Sequence, residues 1–183
     1  MTAVPPRTRR DCDDLFHLIQ HDDFEGAIAH MKALYLLKPS RIIKYQLYYS
    51  EPYSDRTPLN ELVHRGGPVK VAQMMLDMAD EICDMPKLSC IAATTFYGLL
   101  PIHTLCYRLH CPQDHMQYSV DSSETLEMLK LLVHHHPRTL MIRDSSGATP
   151  HEVIQKNKWP SITNSALFAF MLSLYEFPPT VVR

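Results

Sequence analysis

The sequence predicts an all-α protein, one α-solenoid built from about four helix pairs. Three observations carry this reading: a short stretch that recurs along the chain, a longer amphipathic segment after each copy, and breakers between them. Fourteen prolines against five glycines assign the breaks largely to proline, and long Gly-rich phosphate-cradling loops are not expected.

The recurring stretch is Thr57-Pro58-Leu59-Asn60-Glu61-Leu62-Val63. It returns as Leu100-Pro101-Ile102-His103-Thr104-Leu105-Cys106 and, more worn, as Thr149-Pro150-His151-Glu152-Val153-Ile154-Gln155. A fainter copy opens the chain at Asp13-Asp14-Leu15-Phe16-His17-Leu18-Ile19, so the offsets are 44, 43 and 49 residues. Each copy reads as a short helix. Proline at the first helical position has no N–H to leave unbonded, and Thr57 or Thr149 before it can cap free amides. These inner helices are expected near 15–20, 58–65, 101–109 and 150–157.

A longer segment follows each copy. In Glu25 to Leu37, Ile28, Met31 and Tyr35 mark one face, and Pro39 is the stop. Val71, Met75, Met78 and Ile82 keep helical spacing after the Gly66-Gly67-Pro68 break. Leu126, Leu129, Leu132 and Val133 repeat the pattern, with Asp121 and Glu124 at the N-cap-to-N3 spacing and Pro137 as the stop. Last, Leu167, Phe170, Met171 and Leu174 lie at i, i+3, i+4, i+7. Outer helices are therefore expected near 24–37, 69–82, 124–135 and 164–176. Helix pairs of this kind bury their apolar faces only against neighbouring pairs, which is the physics of a solenoid.

These residues resemble the ankyrin repeat, whose units run from a TPLH-like start through a glycine turn and a LEVVKLLL-like second helix to a finger loop ending in D-x-x-G-x-T-P. Leu126-Glu127-Met128-Leu129-Lys130-Leu131-Leu132-Val133 looks like that second helix. Asp144-Ser145-Ser146-Gly147-Ala148-Thr149-Pro150 matches the finger signature at every fixed position, and Gly67 to Leu76 resembles the glycine turn and helix one unit earlier. The TPLH histidine survives only at His103. Asn60 and Glu152 replace it, which puts the family's cross-repeat hydrogen bonds in doubt in those two units. Segments 40–56, 84–97 and 109–123 exceed the family's short connections. The domain layout is a flexible N-terminal segment over 1–12, a repeat domain over 13–177 and a C-terminal tail over 178–183.

Composition narrows the function. Eighteen Lys and Arg against twenty Asp and Glu give a formal charge of −2, so no large electrostatic term draws the chain to nucleic acid or an anionic membrane. No apolar h-region follows the arginines at 7, 9 and 10. The longest apolar stretch, Ala166 to Phe177, falls short of the ~20 residues a bilayer needs. Five cysteines, an odd number, suit reduced thiols. The expectation is a cytoplasmic or nuclear protein without disulfides, nucleic acid or membrane as partner.

For chemistry, His103, Cys106, His110, Cys111 and His115 offer imidazole and thiol within a short span, but their spacing matches no zinc knuckle. The resemblance gives His103 a structural hydrogen-bonding role, and Cys106 suits a buried face. His134-His135-His136 closes a helix whose C-terminal dipole favours donors and cations. No G-x-S-x-G elbow, P-loop, G-x-G-x-x-G or H-E-x-x-H occurs. No catalytic residue, cofactor or metal is expected. The reading is a non-catalytic scaffold that binds another protein, with a metal-binding regulatory protein and an all-α enzyme of unrecognised site as alternatives.

By the resemblance, a partner meets the concave face made by fingers and inner helices, with Arg56, Glu61, Arg65, Tyr97, Thr104, Arg108, Ser145 and Ser146 as exposed contacts. The clustered Tyr45, Tyr48, Tyr49 and Tyr53 add anchors of the kind found in binding loops, unless they pack on one another. On the last helix Phe168, Leu172 and Tyr175 form a second apolar stripe, to be covered by a partner, a second copy of the chain in self-association, or the tail Pro178 to Arg183.

Overall fold

A computed structural model describes residues 14–37, 46–47, 56–82, 98–108, 122–156, 170 and 173–174. Every regular element among these residues is helical. Four are short: α1 (Asp14–Gln20), α3 (Pro58–Arg65), α5 (Pro101–Arg108) and α7 (Pro150–Lys156). Three are long: α2 (Phe24–Leu37), α4 (Val69–Ile82) and α6 (Ser122–His135). A 3-10 helix, Pro137–Met141, follows α6.

The ends of these helices have local causes. Before α2, Asp23 Oδ1 accepts from Gly26 N–H at 2.9 Å. Before α3, Thr57 Oγ1 accepts from Asn60 N–H at 3.3 Å, with Pro58 at the first position. α7 opens with a reciprocal capping box: Thr149 N–H donates to Glu152 Oε2 at 2.8 Å, and Glu152 N–H donates to Thr149 Oγ1 at 3.3 Å. α3 stops at Gly66, whose φ of +70° is left-handed. Gly66 N–H bonds Val63 O and Gly67 N–H bonds Leu62 O, at 3.2 and 2.9 Å, the Schellman pattern.

Each short helix packs on the next short one, α1 on α3, α3 on α5 and α5 on α7, while α2 packs on α4 and α4 on α6. Pairing within a unit joins α1 to α2, α3 to α4 and α5 to α6. One apolar cluster runs through all of them, from Leu15 and Ile19 through Leu62, Met75 and Leu105 to Leu132 and Ile154.

The bounds of these seven helices agree with the sequence reading to within two residues, and Pro58, Pro101 and Pro150 each begin a helix. Two details differ. Leu34, not Tyr35, continues the buried face of α2; Tyr35 is exposed and its hydroxyl donates to Glu81 Oε2 at 2.6 Å on α4. Pro137 also does more than stop α6, because its fixed φ starts the 3-10 turn that buries Thr139 and Leu140. Of the outer helix expected near 164–176 only Phe170, Ser173 and Leu174 are among the described residues; they are helical, and Phe170 and Leu174 pack on the core cluster. Phe168, Leu172 and Tyr175 lie outside the described residues, as does the tail over 178–183. No helix among the described residues is long and apolar enough to cross a membrane.

Candidate functional site

The turn before α7 is organised by one carboxylate. Asp144 Oδ1 accepts from Ser146 N–H, Ser146 Oγ–H and Ala148 N–H at 2.9, 2.7 and 3.0 Å. Its Oδ2 accepts from the Tyr107 hydroxyl of α5 at 2.8 Å. Burial alone would raise the Asp144 pKa, but these hydrogen bonds outweigh it and hold the carboxyl below its ordinary range. Gly147, at φ +78°, turns the chain back so that Asp144 N–H reaches Ala148 O at 2.9 Å. Ser145 and Ser146 stand exposed at the tip. Gly98, also left-handed, lies beside this tip: a Cβ there would sit 3.3 Å from the Ser145 amide nitrogen.

A second cluster links α1 to α3. Arg65 Nε donates to Glu61 Oε1 at 2.8 Å, and Arg65 NH1 reaches both carboxylate oxygens of Asp22 at 3.2 and 3.3 Å. Arg56 NH1 donates to Glu61 Oε2 at 3.0 Å. Burial works against the Arg65 charge, yet the bonds to Glu61 and Asp22 raise its pKa.

The expected exposed contacts therefore divide. Ser145 and Ser146 are exposed, and Arg56 and Arg65 are half-buried. The expectation of exposure is corrected for Glu61, Thr104 and Arg108, which are 4, 6 and 7 % exposed. Each is drawn inward by a polar partner on its own or the preceding unit: Glu61 holds two arginines, Thr104 Oγ1 donates to Asn60 Oδ1 at 3.0 Å, and Arg108 NH1 donates to Val63 O at 3.3 Å. Tyr45, Tyr48, Tyr49, Tyr53 and Tyr97 lie outside the described residues.

Of the His/Cys set, His103 and Cys106 are both buried on α5. His103 Nδ1 accepts from Leu100 N–H at 3.2 Å and so caps its own helix. Burial lowers the His103 pKa, against Asp144 and the backbone of Ile142 and Ala148. Burial pushes the Cys106 thiol up to about 12, which disfavours the thiolate that a nucleophile or metal ligand needs. Among the described residues no group of three His, Cys, Asp or Glu side chains is placed to hold a metal ion. His110, Cys111 and His115 lie outside them. His135, in the closing run of α6, has Nδ1 3.5 Å from Asp80 Oδ2 on α4, so it also links two outer helices.

Sequence reasoning passed over Asp22 and Tyr107. Asp22 could have been found by setting the His21-Asp22-Asp23 turn against Arg65-Gly66-Gly67, whereas nothing in the sequence marks Tyr107 as the partner of Asp144. No protein-family model, no curated protein and no solved structure matches this chain.

Proposed function

We propose that the chain is a non-catalytic protein–protein interaction scaffold, an ankyrin-type α-solenoid of about four units that binds a protein partner in the cytoplasm or nucleus. The observation that carries this reading is the serial packing of short helix on short helix and long on long. It is joined to a finger signature whose aspartate and glycine both have a conformational job. Repeats that touch only their neighbours leave an extended surface, and surfaces of this kind serve recognition. Buried Glu61, Thr104 and Arg108 hold units together, so the contact set on the described residues contracts to Arg56, Arg65, Ser145 and Ser146. The tyrosines of segments 40–56 and 84–97 complete the proposed face.

The test compares the full chain with a Ser145→Arg variant, which spares the Ser146 hydroxyl that donates to Asp144, as bait in extract of its native cell, with captured proteins identified by mass spectrometry. The scaffold reading expects one or a few proteins to be captured stoichiometrically and lost with the variant, while the melting temperature stays unchanged. Identical capture by both chains removes the finger from the contact face, and no stoichiometric capture by either counts against the scaffold.

A further inference from the structure

The two arginines that end α3 and α5 occupy equivalent positions in successive units and have unequal surroundings. Arg65 reaches back to Asp22, which follows α1 at φ 59°. Asp22 N–H bonds Ile19 O and Asp23 N–H bonds Leu18 O, at 3.0 and 2.9 Å, the same pair of bonds made by Gly66 and Gly67. Asp22 and Gly66 are therefore the same position in consecutive turns. Glu61 and Thr104 correspond in the same way, each four residues before its arginine.

Both carboxylates that satisfy Arg65 are missing at Arg108. Thr104 stands where Glu61 would receive Nε, and its hydroxyl is turned to Asn60. Gly66 stands where Asp22 would present a carboxylate, and the guanidinium lies on it so closely that a Cβ there would collide with NH1 and NH2. Arg108 is 7 % exposed, its NH1 donates only to Val63 O, and its Nε is buried without a hydrogen-bond partner. A guanidinium has five N–H donors and keeps its charge, so a buried one with a single bond is costly.

Beside it is a small cavity of about 20 Å³, bordered by Arg108, Gly66 and the first turn of α6 at Glu124 and Thr125. Space for one water takes roughly 10–15 Å³, so the cavity admits about one ligand oxygen, and the kind of ligand follows from the carboxylates of Glu61 and Asp22 that meet the equivalent Arg65. The positive end of the α6 dipole points the same way.

We infer that Arg108 and the α6 N-terminus form a receptor for a carboxylate supplied from outside the chain, in the place that Asp22 fills for Arg65. The ligand is an acidic side chain of a protein or a small free carboxylate, held by the guanidinium fork. This inference does not rest on the scaffold reading, since it follows from the repeat equivalence and the guanidinium alone. Glu124 is the rival counterion. It borders the cavity and is exposed, and its charge favours the Arg108 cation, yet it leaves Arg108 Nε without a hydrogen bond.

The test is a titration of the full chain with sodium acetate, or with sodium chloride at matched ionic strength, followed through the Arg108 Nε–H resonance. Acetate should displace it saturably and chloride should not, while the Arg65 Nε–H, already donated to Glu61, stays in place. Glu124→Gln should tighten acetate binding about two- to fivefold by removing a like charge from the rim. Gly66→Asp should move the Arg108 resonance without acetate and abolish the titration. A blocked tetraglutamate peptide, with its glutamine counterpart as control, separates the sources. Saturation at tenfold lower concentration than acetate assigns a protein ligand, equal concentrations assign a free carboxylate, and both uphold the site. Equal responses to acetate and chloride overturn it, and that result is read on the unaltered chain. So does a Glu124→Gln variant that shifts the Arg108 resonance by itself and melts lower, because Glu124 is then the counterion.

Discussion

Asn60 Oδ1 accepts a hydrogen bond from Thr104 Oγ1 at 3.0 Å, joining α3 to α5 across 44 residues of sequence. The same Asn60 donates through Nδ2 to Thr57 Oγ1 at 3.2 Å, so it ties its own helix start to the next unit. A side-chain hydrogen bond between successive short helices is thus made at Asn60 without a histidine.

Asn60→Ala leaves the buried Thr104 hydroxyl without this acceptor and should cost about 1–3 kcal/mol. Thr104→Val should cost less in the Asn60→Ala background than in the parent. A double-mutant cycle by chemical denaturation should return a coupling of about 0.5–3 kcal/mol. Additive losses would mean that the two side chains do not act as a pair.

Asp144→Ala removes the acceptor for Ser146, Ala148 and Tyr107 together and should destabilise the chain by about 2–4 kcal/mol. The carboxyl also predicts a pH dependence. Its native pKa lies below the unfolded value, so the unfolded chain binds the proton first on acidification. The stabilisation is complete above an unfolded pKa of about 3.9 and is lost as pH falls through the native one. Melting curves between pH 5 and pH 2 should drop less steeply for Asp144→Asn than for the parent.

Histidines act in a different window. His103, His64 and His136 all have lowered pKa values, burial being the largest cause in each, with nearby arginines adding at His64 and Arg138 at His136. Below an unfolded pKa of about 6.5 the unfolded chain takes up these protons before the native one does. Stability is therefore full above that pH and declines as pH falls through the native values. The melting temperature should be lower at pH 5.5 than at pH 7.5, and His103→Gln should narrow the gap. A gap of the same size in that variant would assign the effect to the other groups.

The helix ends are legible in sequence because their causes are local. Pro58, Pro101 and Pro150 start helices, Gly66 ends one, and α2, α3 and α4 have the bounds that the apolar spacing and breakers imply. Asp144 and Gly147 are legible as a turn because both act within a few residues. Which polar residues fall between units is not local information. Glu61, Thr104 and Arg108 look like the solvated side of short amphipathic helices, and they become buried only because the neighbouring units close over that side. Tyr107 and Asp144 meet across 37 residues, and no spacing rule in either segment points to the other.

Leu129 and Leu132 are both buried in the shared core, where α6 packs on α4 and α5. Truncation to alanine should cost about 2–5 kcal/mol at each position. Equilibrium unfolding reads this directly, and unchanged stability in both would place this face of α6 outside the core.

Two left-handed glycines should respond differently to the same substitution. At Gly147, φ is +78° and a Cβ would meet nothing within 4 Å, so Gly147→Ala carries only the backbone term, roughly 1–2 kcal/mol. At Gly66, φ is +70° and a Cβ would also strike the Arg108 guanidinium, which must leave its bond to Val63 O. Gly66→Ala should therefore cost about 1–3 kcal/mol more than Gly147→Ala. Combining it with Arg108→Ala clears the obstruction, so the cost of Gly66→Ala measured in that background should fall to the Gly147 level. Gly66→Asp should be milder than Gly66→Ala in the parent chain, because the displaced guanidinium gains a carboxylate, as Arg65 does at Asp22. Equal costs at Gly66 with and without Arg108 would show that backbone strain alone governs that turn.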